Sequence, residues 1–279
     1  MSMFWQKRLL VIVYVLLSAC SSIDTHEHAN QLAKHRGLIK HSTTIDGFVL
    51  TAYARLNNPK LSINVYIEGD GLAWFSRYEL SADPTPREAI GLALAAQDNA
   101  SNVLYLARPC QFNDFKTTPC DSTYWSNKRF SQKIINVMNE ELETFISADN
   151  SQKIHLTGYS GGAAIAVLLA AQRDDVLSLR TVAGNLDQSY VNQFHHVNLM
   201  PESLNAIDVA NKISSIPQLH FVGENDKVIP QEIAKRFIKQ QESAQQKTAH
   251  CAAIVEVDAE HQKGWITQWQ KLLQQAFPC

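Results

Sequence analysis

Short apolar runs alternate with helix-length segments along most of this chain. Residues 48–56 and 61–67 read as strands, the second alternating Ile63, Val65 and Ile67 with polar positions, and Asn57-Asn58-Pro59-Lys60 reads as the turn between them. Residues 86–97 pattern as a helix, 103–107 as a strand and 130–146 as an amphipathic helix. A strand over 153–158 then leads through a turn of small residues into an Ala/Leu-rich helix. A strand near 179–183 precedes a longer, irregular stretch, 187–215, expected to form a small cap-like insertion. Strands at 219–222 and 252–257 alternate with helices at 231–242 and 265–275. Such alternation implies an α/β fold: a mostly parallel central sheet with helices on both faces. Residues 20–43 are polar with no core pattern and read as a tether, so a single domain is expected over 44–279.

In sheets of this kind ligands bind beyond the carboxyl ends of the strands. Gly158-Tyr159-Ser160-Gly161-Gly162 lies at one such end. A serine at the tip of a tight strand-to-helix turn needs a strained backbone, and bulky side chains two residues either side would clash. The hydroxyl then stands above the sheet edge, and the N–H of Gly161 points to where an oxyanion would form. Glycine and serine also mark ordinary turns, and only the strand before and helix after favour a nucleophile.

Composition narrows the classes. The chain has 279 residues, 45% hydrophobic and 19% charged, enough for one large α/β domain with a substantial core. A net charge of −2 without a basic patch gives nucleic acid no footprint. At the N-terminus, Lys7-Arg8, the apolar run 9–17 and Ser18-Ala19-Cys20 describe a secretory signal over 1–19. That run is shorter than the ~20 residues a membrane-spanning helix needs. Leu17-Ser18-Ala19-Cys20 resembles the lipobox of bacterial lipoproteins, which implies cleavage before Cys20 and lipidation of its thiol. Ser21 after the cysteine implies, by the same resemblance, the outer membrane facing the periplasm. The other readings are an ordinary cleaved signal or an uncleaved anchor.

Five cysteines would leave an odd thiol in an oxidising compartment; with Cys20 lipidated, four remain to pair. Cys110 and Cys120 bracket a short loop, which leaves Cys251 and Cys279 to tie the last strand to the C-terminus. Each bond would stabilise by roughly 2–4 kcal/mol in the chain-entropy model. No Cys-x-x-Cys spacing or histidine partner suggests a metal, and no cofactor is expected.

Two more residues follow strands: Asp226 after 219–222 and His261 after 252–257. Ser160, Asp226 and His261, in that chain order and placement, resemble the α/β-hydrolase fold. The resemblance covers about 44–279, and the chain looks most like exported lipoprotein hydrolases of unassigned substrate. It implies Ser160 as nucleophile, His261 as general base and acid, and Asp226 as the carboxylate that orients the imidazole. It also implies a second oxyanion donor at the turn after 61–67, where the family often has His-Gly. Here the turn is Glu68-Gly69-Asp70, so the donor would be the backbone of Asp70, with Glu68 a candidate buried hydrogen-bond acceptor. Asp187 competes with Asp226 as the acid. His250 sits at the wrong edge, His195 and His196 fall in the insertion, and His155 and His220 fall inside strands. Trp74, Phe75, Phe194, Leu199 and Met200 are candidate walls of an acyl pocket, although such residues more often simply pack.

The expected function is hydrolysis of a carboxylic ester of a small molecule or lipid. An acyltransferase or amidase would use the same triad. A binding module with an inactive site would explain the unusual acidic turn.

Overall fold

The computed structural model describes residues 24–76, 78–114, 119–147, 152–242 and 251–279. Among these residues an eight-stranded sheet runs in the order β1 (Ile39–Ile45), β2 (Phe48–Leu56), β6 (Asn102–Leu106), β3 (Ile63–Ile67), β7 (Ile154–Tyr159), β8 (Val176–Val182), β9 (Gln218–Gly223) and β10 (Ala252–Val257). From β6 to β10 every pairing is parallel; β2 runs against both its neighbours. The central strands are buried on both faces, as crossover helices require: all of β6 and β9 is buried.

Alternation along each strand sorts its side chains to two cores. Val65, Ile67, Leu104 and Leu106 meet α3 (Gln132–Glu143), α4 (Gly161–Ala170) and α6 (Glu232–Glu242). Tyr66, Tyr105 and Phe221 point the other way, to α1 (Thr25–Lys34), α2 (Ile90–Gln97) and α7 (Trp265–Leu273). Trp269 of α7 lies edge-on to both Tyr66 and Phe221, 6.1 and 5.7 Å between ring centres. Every residue of α4 is buried, so its sequence is apolar all round.

The register positions the site. Ile67 stands opposite Leu106 on one side and Gly158 on the other. The residues just past these three strand ends, Glu68 to Asp70, Arg108 and Ser160, therefore emerge at one level of the sheet.

The segment expected as a tether is folded from residue 24. Asp24 caps α1, accepting from the N–H groups of His26 and Glu27, and Ala29 and Ala33 are buried one turn apart. A two-residue turn at Asp46-Gly47, both at positive φ, joins β1 to β2. As an edge strand with mostly exposed side chains, β1 carries no apolar pattern. Cys20 and the signal lie outside the described residues. Helix α2 begins at Ile90, not at 86. Both expected disulfides form, Cys110–Cys120 and Cys251–Cys279, with Cα atoms 5.7 and 5.1 Å apart. A short hairpin of β4 (Trp74–Ser76) and β5 (Glu79–Leu80), not foreseen, follows the acidic turn.

Candidate active site

Ser160 has φ 51° and ψ −119°, a conformation that costs a non-glycine residue free energy. The turn holds it there: its N–H donates to the Val182 carbonyl, and its own carbonyl accepts from Ala163 and Asn185. Both flanking glycines are sterically required. A Cβ on Gly158 would lie 2.4 Å from the Gly162 carbonyl oxygen, and one on Gly162 would lie 2.3 Å from that of Ile67.

The Ser160 hydroxyl is 3.1 Å from His261 Nε2, and His261 Nδ1 is 2.9 Å from Asp226 Oδ2. An ionised carboxylate only accepts, so Nδ1 carries the proton of that bond and Nε2 is left to take the serine's. The Asp226 side chain is wholly buried, and its other oxygen accepts from the N–H groups of Val228 and Ile229 at 2.8 and 2.9 Å. The backbone that carries the imidazole is tied down as well: Tyr159 Oη and Trp265 Nε1 both donate to the His261 carbonyl.

Asp187 lies elsewhere. It caps α5 (Gln188–Phe194), accepts from Asn205 and pairs with Arg236 at 3.1 Å. His195 contacts the Val228 carbonyl on the cleft wall. His155 and His220 bond to Ser178 and Thr181 within the sheet, and burial lowers the His220 pKa to about 4. His250 lies outside the described residues.

The acidic turn divides its two carboxylates between structural tasks. Glu68 is buried and accepts from the N–H groups of Gly69, Gly91 and Leu92 and from Tyr105 Oη, at 2.9, 3.1, 3.3 and 2.9 Å. Burial raises its pKa, and these donors oppose the rise. It thus supplies α2 with the cap that Ala89 cannot, at the helix's positive end.

Asp70 reaches over the nucleophile turn: a Cβ on Gly161 would come within 2.0 Å of its Oδ1. Arg108 Nη1 donates to that oxygen at 3.0 Å, and Arg129 Nε stands 3.4 Å from the other. Gln111 ties the loop by donating to the Gly69 carbonyl. Gly71, at φ +65°, has room for no side chain, since a Cβ would lie 2.0 Å from the Pro84 carbonyl oxygen. The main-chain N–H of Gly161 begins α4 and so lacks an intrahelical acceptor. Sequence reasoning missed Arg108, Gln111 and Arg129. For the first two a signal was present: Arg108-Pro109-Cys110-Gln111 directly follows a strand.

A cleft of about 1160 Å³ opens above Ser160 and His261. Trp74, Leu199 and Met200 line it, whereas Phe75 and Phe194 are about half exposed outside it.

Residues 98–253, more than half the chain, match the family described as Serine hydrolase (FSH1). The chain belongs to that family. The matched span of this FSH1 serine hydrolase contains Ser160 and Asp226 and ends before His261. No curated protein matches it. Its fold is shared with solved esterases. Esterase Pf2001 of Pyrococcus furiosus is 13% identical with a TM-score of 0.58, over 86% of this chain and 90% of that one. Est1E of Butyrivibrio proteoclasticus is 15% identical with a TM-score of 0.56, over 84% and 98%. The esterase domain of a Rhodothermus marinus protein is 12% identical with a TM-score of 0.54, over 84% and 95%. The protein is therefore a serine hydrolase of α/β-hydrolase architecture.

Proposed function

We propose that the protein cleaves a carboxylic ester through an acyl-serine intermediate, from a lipid anchor at Cys20 on the periplasmic side of the outer membrane. The observation that carries the chemistry is the continuous hydrogen-bonded chain Ser160–His261–Asp226 on a strained turn. His261 Nε2 takes the Ser160 proton as Oγ attacks the acyl carbon, and Asp226 stabilises the imidazolium. The negative charge on the carbonyl oxygen falls to the N–H groups of Gly161 and Asp70. Collapse expels the alcohol, protonated by His261. Water then attacks the acyl-serine, with His261 as base, to release the acid and regenerate Ser160.

The anchor reading rests on the charged start, apolar run and Cys20 of the N-terminal segment. Two disulfides suit an oxidising compartment.

One experiment tests both parts. Full-length protein, Ser160→Ala, His261→Ala and Cys20→Ala are expressed with the export signal, fractionated and treated with a fluorophosphonate probe. Labelling is expected in the membrane fraction, lost in Ser160→Ala and His261→Ala, and absent from that fraction in Cys20→Ala. A folded wild type that fails to label would refute the chemistry. Label in the soluble fraction alone would refute the anchor.

A further inference from the structure

Two guanidinium groups and one carboxylate are packed together beside the nucleophile turn. Arg108 and Arg129 both lie over the Phe130 ring, 5.2 and 5.3 Å from its centre. Their side chains are 5% and 13% exposed, and that of Asp70 is 20% exposed. Arg108 spends one terminal nitrogen on Asp70 and the other on the Arg129 carbonyl. Arg129 keeps much more of its capacity. Its Nε approaches Asp70 without a hydrogen bond, and its terminal nitrogens have no hydrogen-bond partner among the described residues. Arg129 lines the cleft together with Asp70 and Ser160.

Among the described residues Asp70 is the one carboxylate within ion-pair distance of Arg129, and the field of Glu68 falls on Arg108. Glu202 is engaged by Lys128 and Asn127, and Glu68 by its four donors. Glu88 and Arg87 both line the cleft. A partly desolvated guanidinium with unbonded terminal nitrogens gains from a further acceptor, and its fork fits a carboxylate with two parallel bonds. Asp70 faces only the Nε edge of Arg129, at 3.4 Å, and does not engage its terminal nitrogens.

We propose that Arg129 is a specificity-determining residue that recognises a carboxylate on the substrate, so that the natural ester carries a free acid group. This rests on Ser160 being the nucleophile, and it narrows the substrate class from carboxylic esters in general to anionic ones. The charge sits on whichever side of the scissile bond passes Asp70. That is the acyl side for a monoester of a dicarboxylic acid and the alcohol side for an ester of a hydroxy acid.

The test compares matched pairs on the wild type, Arg129→Gln and Arg129→Lys. On the acyl side the pair is p-nitrophenyl butyrate and mono-p-nitrophenyl glutarate. On the alcohol side it is phenyl butyrate and the butyryl ester of 4-hydroxybenzoate. In one of the pairs the ratio of kcat/KM, anionic over neutral, is expected to fall about tenfold to a hundredfold in Arg129→Gln, through KM, and to recover partly in Arg129→Lys. Unchanged ratios in both pairs would overturn the proposal. A binding measurement covers the case in which Arg129→Gln does not fold. Calorimetry on Ser160→Ala should detect glutarate, weakened by added salt, and not the uncharged glutaramide. Equal binding of both compounds, or of neither, would also overturn it. Because binding needs no chemistry, a failed nucleophile assignment appears separately, as esterase activity that survives in Ser160→Ala.

Discussion

Replacing Asp226 by asparagine exchanges one oxygen for an NH2 group and separates its two structural duties. The asparagine carbonyl can still accept from the N–H groups of Val228 and Ile229, so the loop that enters α6 keeps its ties. The amide NH2 then faces His261 Nδ1, where the carboxylate accepted at 2.9 Å. Two donors cannot share that contact, so the imidazole keeps its proton on Nε2 and presents an N–H to Ser160 instead of a lone pair. The base is lost while the fold is retained. A wrong tautomer of this kind costs a serine hydrolase about 10⁴ in kcat, or roughly 5 kcal/mol of transition-state stabilisation. Asp187→Asn supplies the contrast. It keeps the cap on α5 but turns an NH2 toward the half-exposed Arg236 in place of the carboxylate oxygen, a loss on the order of 1–2 kcal/mol of stability. A chain of this size then melts about 2–4 °C lower per kcal/mol. Hydrolysis of p-nitrophenyl acetate and thermal melts of the two variants give the readout. Asp226→Asn should be nearly inactive with a melting point close to wild type. Asp187→Asn should melt lower and keep its kcat within a few-fold. The reverse pattern, with Asp187→Asn inactive and Asp226→Asn active, would refute the assignment of the acid.

Gly161→Ala should lower kcat by roughly 10²–10³, the loss of one oxyanion donor. Its Cβ would sit 2.0 Å from Asp70 Oδ1 and push that loop away. Adding Asp70→Ala removes the clash, and a double variant no more active than Gly161→Ala would sink this account. Glu141 of α3 is fully buried, and both its carboxyl oxygens lack a partner among the described residues. Desolvation raises its pKa well above the usual range. The folded state therefore binds its proton more tightly than the unfolded state. Its stabilising share is complete below the unfolded pKa and is lost as pH rises toward the folded value. Glu141→Met should raise stability by about 1–3 kcal/mol, more at pH 8 than at pH 5, in denaturant titrations. A gain larger at pH 5 would refute the sign.

What was legible in this chain was short-range steric necessity. Gly158, Ser160 and Gly162 have to stand where they do because backbone atoms of the same turn, or of the adjoining strand end, fill the space where larger residues would go. Asp226 and His261, which the structure brings to Ser160, were selected by a rule about strand ends, which needs only the strands to be placed, and β10 falls where its apolar run does. Segments whose stability comes from a few distant partners stayed hidden. Helix α1 buries only Ala29 and Ala33, too small a stripe to read, and β1 is held by main-chain bonds to β2. Asp46-Gly47 did carry a hairpin signal there.

The acidic turn shows the deeper reason for the gap. Glu68 and Asp70 looked hostile to an oxyanion because their partners come from far along the chain. Glu68 is answered by α2, which starts twenty-two residues later, and Asp70 by Arg108 and Arg129. Only the register that sets Ile67 beside Leu106 brings these charges together. The sign of the field at a site is a sum over elements that the local pattern does not couple. A carboxylate beside a nucleophile therefore counts neither for nor against catalysis until its counter-charges are placed. Here Arg129 stands on the cleft wall with terminal nitrogens that Asp70 does not engage, which turns an apparent defect of the turn into a basis for selecting substrates.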